Sequence, residues 1–238
     1  MKKPSGYVIF NGKSQIDNAP IIGVVILKST NAKTGNMGQL HIIREDVAPH
    51  IAVKTGQDVS VCGDCKHRAV NNGACYVTTF QGPLQVYKSY KNGSYPFAKD
   101  LSIFEGMKIR FGAYGDPYAL PMALLTSLKA VVKNNTSYTH QWKQGNEALK
   151  QVSMASVDSI EEQVEAVNQG WRTFRVSKDL KDIQSNEIIC PNTTRAIKCI
   201  DCGLCNGNGS KAKNIVIEVH GQKKKRFINK DELATQKA

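Results

Sequence analysis

The chain has no apolar run long enough to cross a bilayer as a helix, so a membrane-spanning role is not expected. No apolar signal segment is evident either, because Met1-Lys2-Lys3-Pro4 leads straight into a short strand-like run. Aromatic residues make up only 7%, and neither an aromatic-rich RNA-binding signature nor a helix-turn-helix or zinc-finger helix is legible. Acidic residues are scarce beside basic ones, 20 against 32, which leaves a formal charge of +12. The cysteine total is odd, at seven. An odd count, no signal segment and a length of 238 residues that buries a core without staples all argue against a disulfide framework. A reducing, cytoplasmic setting is the expectation.

Those seven cysteines fall into two tight groups. Cys190, Cys199, Cys202 and Cys205 read C-P-x7-C-x2-C-x2-C, and Cys62, Cys65 and Cys75 read C-x2-C-x9-C. Two intervening residues let one turn of backbone aim two sulfurs at a common point. Structural zinc is usually held by two well-separated C-x2-C knuckles, whereas three thiols of the later group lie within seven residues. Packing them so closely suits a cuboidal iron–sulfur cluster, [4Fe-4S] by preference, with zinc as the alternative cofactor. The earlier group offers three ligands. His67 would complete a zinc site, an open position would suit a cluster whose unique iron takes a ligand, and a third option is that only some of the seven thiols share a site.

The basic residues are partly concentrated in Lys223-Lys224-Lys225-Arg226, while Lys28, Lys33, Lys88, Lys91, Lys129, Lys133, Lys178 and Lys181 are dispersed. Such a surface fits a polyanionic partner such as nucleic acid, or equally a solvated exterior. The excess of lysine over arginine suits phosphate attraction better than base reading.

At 41% hydrophobic and 22% charged, the chain has an ordinary globular composition. Residues 1–60 read as a β-rich segment, 61–222 as an α/β core carrying both cysteine groups, and 223–238 as a basic tail. Strands are expected at Tyr7–Phe10, before a turn at Asn11-Gly12, and at Ile21–Leu27, Gln39–Arg44 and Asp58–Val61. From residue 106, strands at Lys108–Gly112, Ser137–Trp142, Gln151–Ser156, Trp171–Val176 and Ile215–His220 alternate with helices. One helix runs from Pro121 to Val132, and another opens at Asp158 or Ser159 and closes at Gly170. The expected fold is α/β, either a partial β/α barrel or a mainly parallel sheet. Loops at the carboxyl ends of such strands gather on one side. Asp116, His140, Gln141, Ser156, Arg175 and His220 end these strands, so they are expected to converge near the cysteine loops. Among them the catalytic candidates are Asp116, His140, Arg175 and His220, with either histidine as a proton carrier and Arg175 as an anion clamp.

On these motifs the chain resembles an uncharacterised family of phage and prophage proteins, the gene product 88-like family, over roughly residues 20 to 220. The resemblance rests on Asn31-Ala-Lys33-Thr34-Gly35, Cys62-Gly-Asp-Cys65 with Ala74-Cys75-Tyr76-Val77, and Tyr114-Gly115-Asp116-Pro117. It continues through Tyr138–Trp142, Met154–Ser159, Gly170–Arg175, the four-cysteine group and Val219-His220-Gly221. It implies a phage-encoded, iron–sulfur-holding protein of the host cytoplasm. His67 is not among the family's features. A looser similarity is to radical S-adenosylmethionine enzymes, which carry a three-cysteine cluster after an early strand. Cys62, Cys65, Cys75 and Tyr76 echo that loop, although those enzymes use C-x3-C-x2-C and the last gap here is nine residues. Three functions follow as expectations: a structural or redox-sensing iron–sulfur protein, a cluster-dependent enzyme on a small molecule or nucleotide, and a metal-stabilised nucleic-acid-binding protein.

Overall fold

The computed structural model of the chain describes residues 3–209 and 212–227; residues 228–238 of the expected basic tail lie outside them. The chain opens with β1 (Gly6–Lys13), β2 (Pro20–Ile26) and β3 (Gly38–Arg44), an antiparallel meander. The apolar run of β2 does not alternate because both its faces are covered: Ile21, Ile22, Val24 and Val25 are all fully buried. The turn expected at Asn11-Gly12 lies inside β1. The chain reverses instead at Ser14–Asn18, where Asn18 takes φ +61° and Ser14 N donates to Ala19 O.

Two short helices, α1 (Pro49–Thr55) and α2 (Val59–Cys62), come next, and then α3 (Gly82–Lys91). The strand expected at Asp58–Val61 is therefore a helical turn. Cys62 N and Gly63 N close it by donating to the carbonyls of Asp58 and Val59. The alternation Val-Ser-Val is shared by a half-buried strand and by one helical turn, and here the local backbone bonds win.

The remainder is β–α alternation: β4 (Lys108–Tyr114), α4 (Met122–Val131), β5 (Asn134–Thr139), α5 (Glu147–Val152), β6 (Met154–Val157), α6 (Ile160–Asn168) and β7 (Thr173–Ser177). After these come β8 (Glu187–Ile189), α7 (Pro191–Arg195), α8 (Cys199–Cys202) and β9 (Asn214–Glu218). One nine-stranded sheet results, in the order β1-β2-β3-β4-β5-β6-β7-β9-β8, parallel from β3 onward and not closed into a barrel. The β-rich opening segment is thus continuous with the α/β core, through the pairing of Gly38 with Ile109 and Gln39 with Arg110.

The sheet's two faces differ. Ile109 and Phe111 of β4 share one core cluster with Leu125 and Leu128 of α4. On the same face, Asn135 of β5 donates to Val152 O at the end of α5 (2.8 Å), and Ser137 Oγ meets Ser153 Oγ at 2.6 Å. The other face presents Arg110, Thr136 and Tyr138, and among the described residues no long helix lies over them. The cysteine-bearing loop occupies that place.

Candidate metal centre

The four cysteines of the later group line one recess, together with Thr136, Tyr138, Pro191, Asn192 and Leu204. It encloses about 300 Å³ of space, counted with the solvent at its mouth. Three of the four cysteines are placed by backbone bonds to separate parts of the chain, and Cys202 follows within α8, its N–H donating to Lys198 O (2.9 Å). Cys190 leaves the edge strand β8 and donates its N–H to Val216 O (2.9 Å). Cys199 and Ile200 donate to Lys33 O and Thr34 O at 3.0 and 3.1 Å, so the 31–35 loop carries α8. Cys205 O accepts from Ser137 N at 2.8 Å, in the gap where β5 is not yet paired with β6.

Two residues besides the cysteines hold this loop down. Gly203 ends α8 at φ +68°, and a Cβ there would meet Asn134 Nδ2 at 2.3 Å, so only glycine fits. Arg172 is buried and spends its guanidinium on carbonyls of the same loop: Leu204 (2.9 Å), Gly207 (2.8 Å), Ala212 (2.9 Å) and Lys213 (2.8 Å). Nothing in the sequence distinguished Arg172 as a staple, since its partners lie more than thirty residues further on.

All seven cysteines are free, with Cys205 buried and the other six partly so. The Tyr138 hydroxyl donates to the Cys205 sulfur. Burial nonetheless pushes Cys205 up to about 12, so a bare thiol here stays protonated at neutral pH. Among the described residues, no three His, Cys, Asp or Glu side chains form a group that would hold a single metal ion.

The earlier group sits at the carboxyl ends of β4 and β5. Its loop turns tightly: Cys65 N donates to Cys62 O (3.3 Å), and Cys75 N returns to His67 O (3.1 Å). The return passes over Gly73, where a Cβ would lie 2.2 Å from the His67 carbonyl carbon. Two of the sulfurs accept backbone N–H groups two residues on, Cys65 from His67 and Cys75 from Val77. Burial raises Cys62 well above the ordinary thiol range and Cys65 to about 12.

Of the residues expected to converge here, Asp116, His140 and Gln141 meet beside Cys62, and His220 reaches Tyr76 at the other end of the loop. Asp116 accepts from Thr139 Oγ1 (2.8 Å), His140 N (2.7 Å) and Tyr118 N (3.0 Å), and Gln141 Nε2 donates to Cys62 O at 3.2 Å. Burial holds Asp116 up near 6 against those donors and pushes His140 down to about 4. Ser156 is buried within β6. Arg175 is not free to clamp an anion: it is buried in a fork with Glu187 (2.8 Å) and also meets Asp182 at 3.0 Å. His220 is exposed and rests against the ring of Tyr76, 5.8 Å between centroids. His67 is held by Asp158, with Nε2 2.7 Å from Oδ2. In the basic run, Lys224 pairs with Glu218, and the charge of Lys223 reaches Cys75.

The two cysteine groups are joined on the same face through Arg110. Its Nη2 donates to the hydroxyl of Tyr76, the residue after Cys75, at 2.8 Å, and its charge acts on Cys199. No family model, curated protein or solved structure matches the chain.

Proposed function

We propose that this chain is an iron–sulfur protein whose cluster is ligated by Cys190, Cys199, Cys202 and Cys205. The supporting observation is that these four thiols line one recess on the open face of the sheet, with Cys190, Cys199 and Cys205 held by three different backbone anchors and Cys202 carried by α8. Three of these thiols lie within seven residues of chain, a spacing that suits several irons and sulfides better than one tetrahedral ion. Buried thiols that resist ionisation become stable thiolates once a cluster supplies positive charge. The Tyr138 hydroxyl on Cys205 and the guanidinium near Cys199 are the hydrogen bond and the charge that set a cluster's potential. The cluster also ties the edge strand β8, the gap beside β5 and the 31–35 loop together, so it serves the fold as well as redox exchange. With the resemblance to the phage family, the reading extends to a phage-encoded protein acting in the host cytoplasm.

The test is anaerobic purification of the full chain and of Cys205→Ser. Brown protein with broad visible absorption, lost or weakened in Cys205→Ser, supports the reading. Colourless protein with one zinc per chain overturns it.

A further inference from the structure

The open face of the sheet gathers positive charge that the cluster does not use. Arg110 stands in its middle, and among the described residues no carboxylate pairs with it. Its Nη2 is spent on the Tyr76 hydroxyl, and its Nε is buried without a partner. Gln39 lies beside Arg110 in the β3–β4 register and donates from Nε2 to Thr34 Oγ1 at 3.2 Å, which joins the 31–35 loop to this face. That loop exposes Lys33 and receives the N–H groups of Cys199 and Ile200. The stem of Lys198 lies over it, since a Cβ on Gly35 would stand 3.2 Å from Lys198 Cδ. Lys108 reaches the same place and donates to Ile200 O. Against these cations, α8 itself contributes one carboxylate, Asp201.

Two aromatic rings stand in solvent beside the cations. Tyr76 is 55% exposed, and His220 is exposed as well. Their centroids are 5.8 Å apart, with the rings inclined by 34°. Three contacts fix the Tyr76 side chain: the bond from Arg110, the His220 ring, and the backbone of Gly221, where a Cβ would lie 3.4 Å from Tyr76 Cβ. An exposed tyrosine held this firmly has lost side-chain freedom without burying its ring, a cost that packing in the fold does not return. Desolvation and the charge of Lys33 hold His220 below the ordinary histidine value, so at neutral pH it is an uncharged ring suited to stacking.

We propose that a single strand of nucleic acid lies across this face, with a base stacked on Tyr76 and His220 and its phosphates along Arg110, Lys33 and Lys198. The formal charge of +12 supplies the complementary field. Stacking on a protein ring needs a base released from a duplex, hence a single strand. Arg110 positions the Tyr76 ring and adds its charge, while the lysines meet phosphates without reading bases, so sequence preference is weak. A base on these exposed rings is covered from one side only, so affinity comes from several phosphates together and a mononucleotide gains little. The run Lys223–Arg226 is not the footprint, because Lys224 spends its charge on Glu218. None of these contacts uses a cysteine sulfur, so the site is independent of what the recess holds.

The experiment is fluorescence anisotropy of the full chain, purified anaerobically, against labelled oligo-dT and oligo-rU of about 12 nucleotides. Binding is expected, its affinity falling about ten-fold or more between roughly 50 and 200 mM salt, and the tighter arm identifies the sugar. Tyr76→Ala should weaken binding about ten-fold with the salt slope and the iron content unchanged, whereas Tyr76→Phe, which keeps the ring, should lose much less. Lys33→Gln with Lys198→Gln should flatten the slope by about 1.4. Tyr76→Trp should bind and lose emission as the strand is added; Trp142 and Trp171 are buried, so the change reports position 76. Emission that stays constant, or affinity untouched by Tyr76→Ala, would overturn the proposal. So would tighter binding of a duplex of the same length, equal competition by polyglutamate, or binding lost only when Lys225 and Arg226 are neutralised. The cluster is tested separately, because its readout is iron and colour rather than anisotropy.

Discussion

Arg110 donates from Nη2 to the hydroxyl of Tyr76 at 2.8 Å, and through that bond the loop of one cysteine group is fastened to the wall of the other. Arg110 lies beside Thr136 in the β4–β5 register, and Thr136 lines the recess. Its charge reaches Cys199 on one side, and Tyr76 follows Cys75 on the other.

A fixed cation near a cluster favours its reduced, more negative state. Arg110→Met should therefore lower the midpoint potential of the cluster on the later group, by on the order of tens of millivolts. Arg110→Lys should retain most of that shift, because the charge remains. Potentiometric titration followed by electron paramagnetic resonance reads both, and equal potentials in all three proteins would remove Arg110 as a tuning residue.

Arg172 should matter as much as any cysteine for keeping the later loop in place. Arg172→Met strands several carbonyls, and stability should fall by about 2–4 kcal/mol in urea unfolding, with reduced iron content in the surviving protein. A variant with unchanged midpoint and full iron would contradict the role.

The β–α alternation of the parallel half was legible where helix ends are marked: Ser159 caps α6 by accepting from Glu162 N, and Gly170 follows its end at φ +82°, whereas polar β5 (Asn134–Thr139) lies three residues earlier than expected and α5 takes the first residues of the strand expected at Gln151–Ser156. Strand β8 was not legible. Three residues, Glu187–Ile189, carry too little pattern to stand out from a loop. That omission concealed the purpose of Arg175, since its partner Glu187 lies on β8. With the partner unseen, an arginine at a strand end reads as an anion clamp. The division of the cysteines into two groups was legible from spacing alone, whereas the recess that the later four line and the bond of Arg110 to Tyr76 depend on strand register, which no local pattern reports.

The Arg175–Glu187 pair is fully enclosed, with side-chain exposures of 1% and 0%. Arg175→Leu leaves a buried carboxylate unpaired and should cost about 3–5 kcal/mol, seen as a lowered denaturation midpoint. The double variant Arg175→Leu/Glu187→Leu should recover much of that loss. A single variant no less stable than wild type would show that the fork carries no such energy.

His41, on β3, is held down to about 4 by burial and by the charge of Arg110, and its Nδ1 has no partner. In the unfolded chain it titrates near 6.5, so the unfolded state takes up the proton first as pH falls. Its contribution is fully present above pH 6.5 or so and fades toward pH 4, by about 3 kcal/mol. Unfolding free energies measured across that window should slope for wild type and slope less for His41→Gln. Parallel curves would contradict the assignment.

Acid-labile sulfide, measured beside iron and zinc on protein purified without oxygen, tests the central claim most directly. The account predicts sulfide in proportion to iron, both lost from the later group's recess when Cys190, Cys199, Cys202 and Cys205 are replaced together by Ala. Stoichiometric zinc with no sulfide would contradict it.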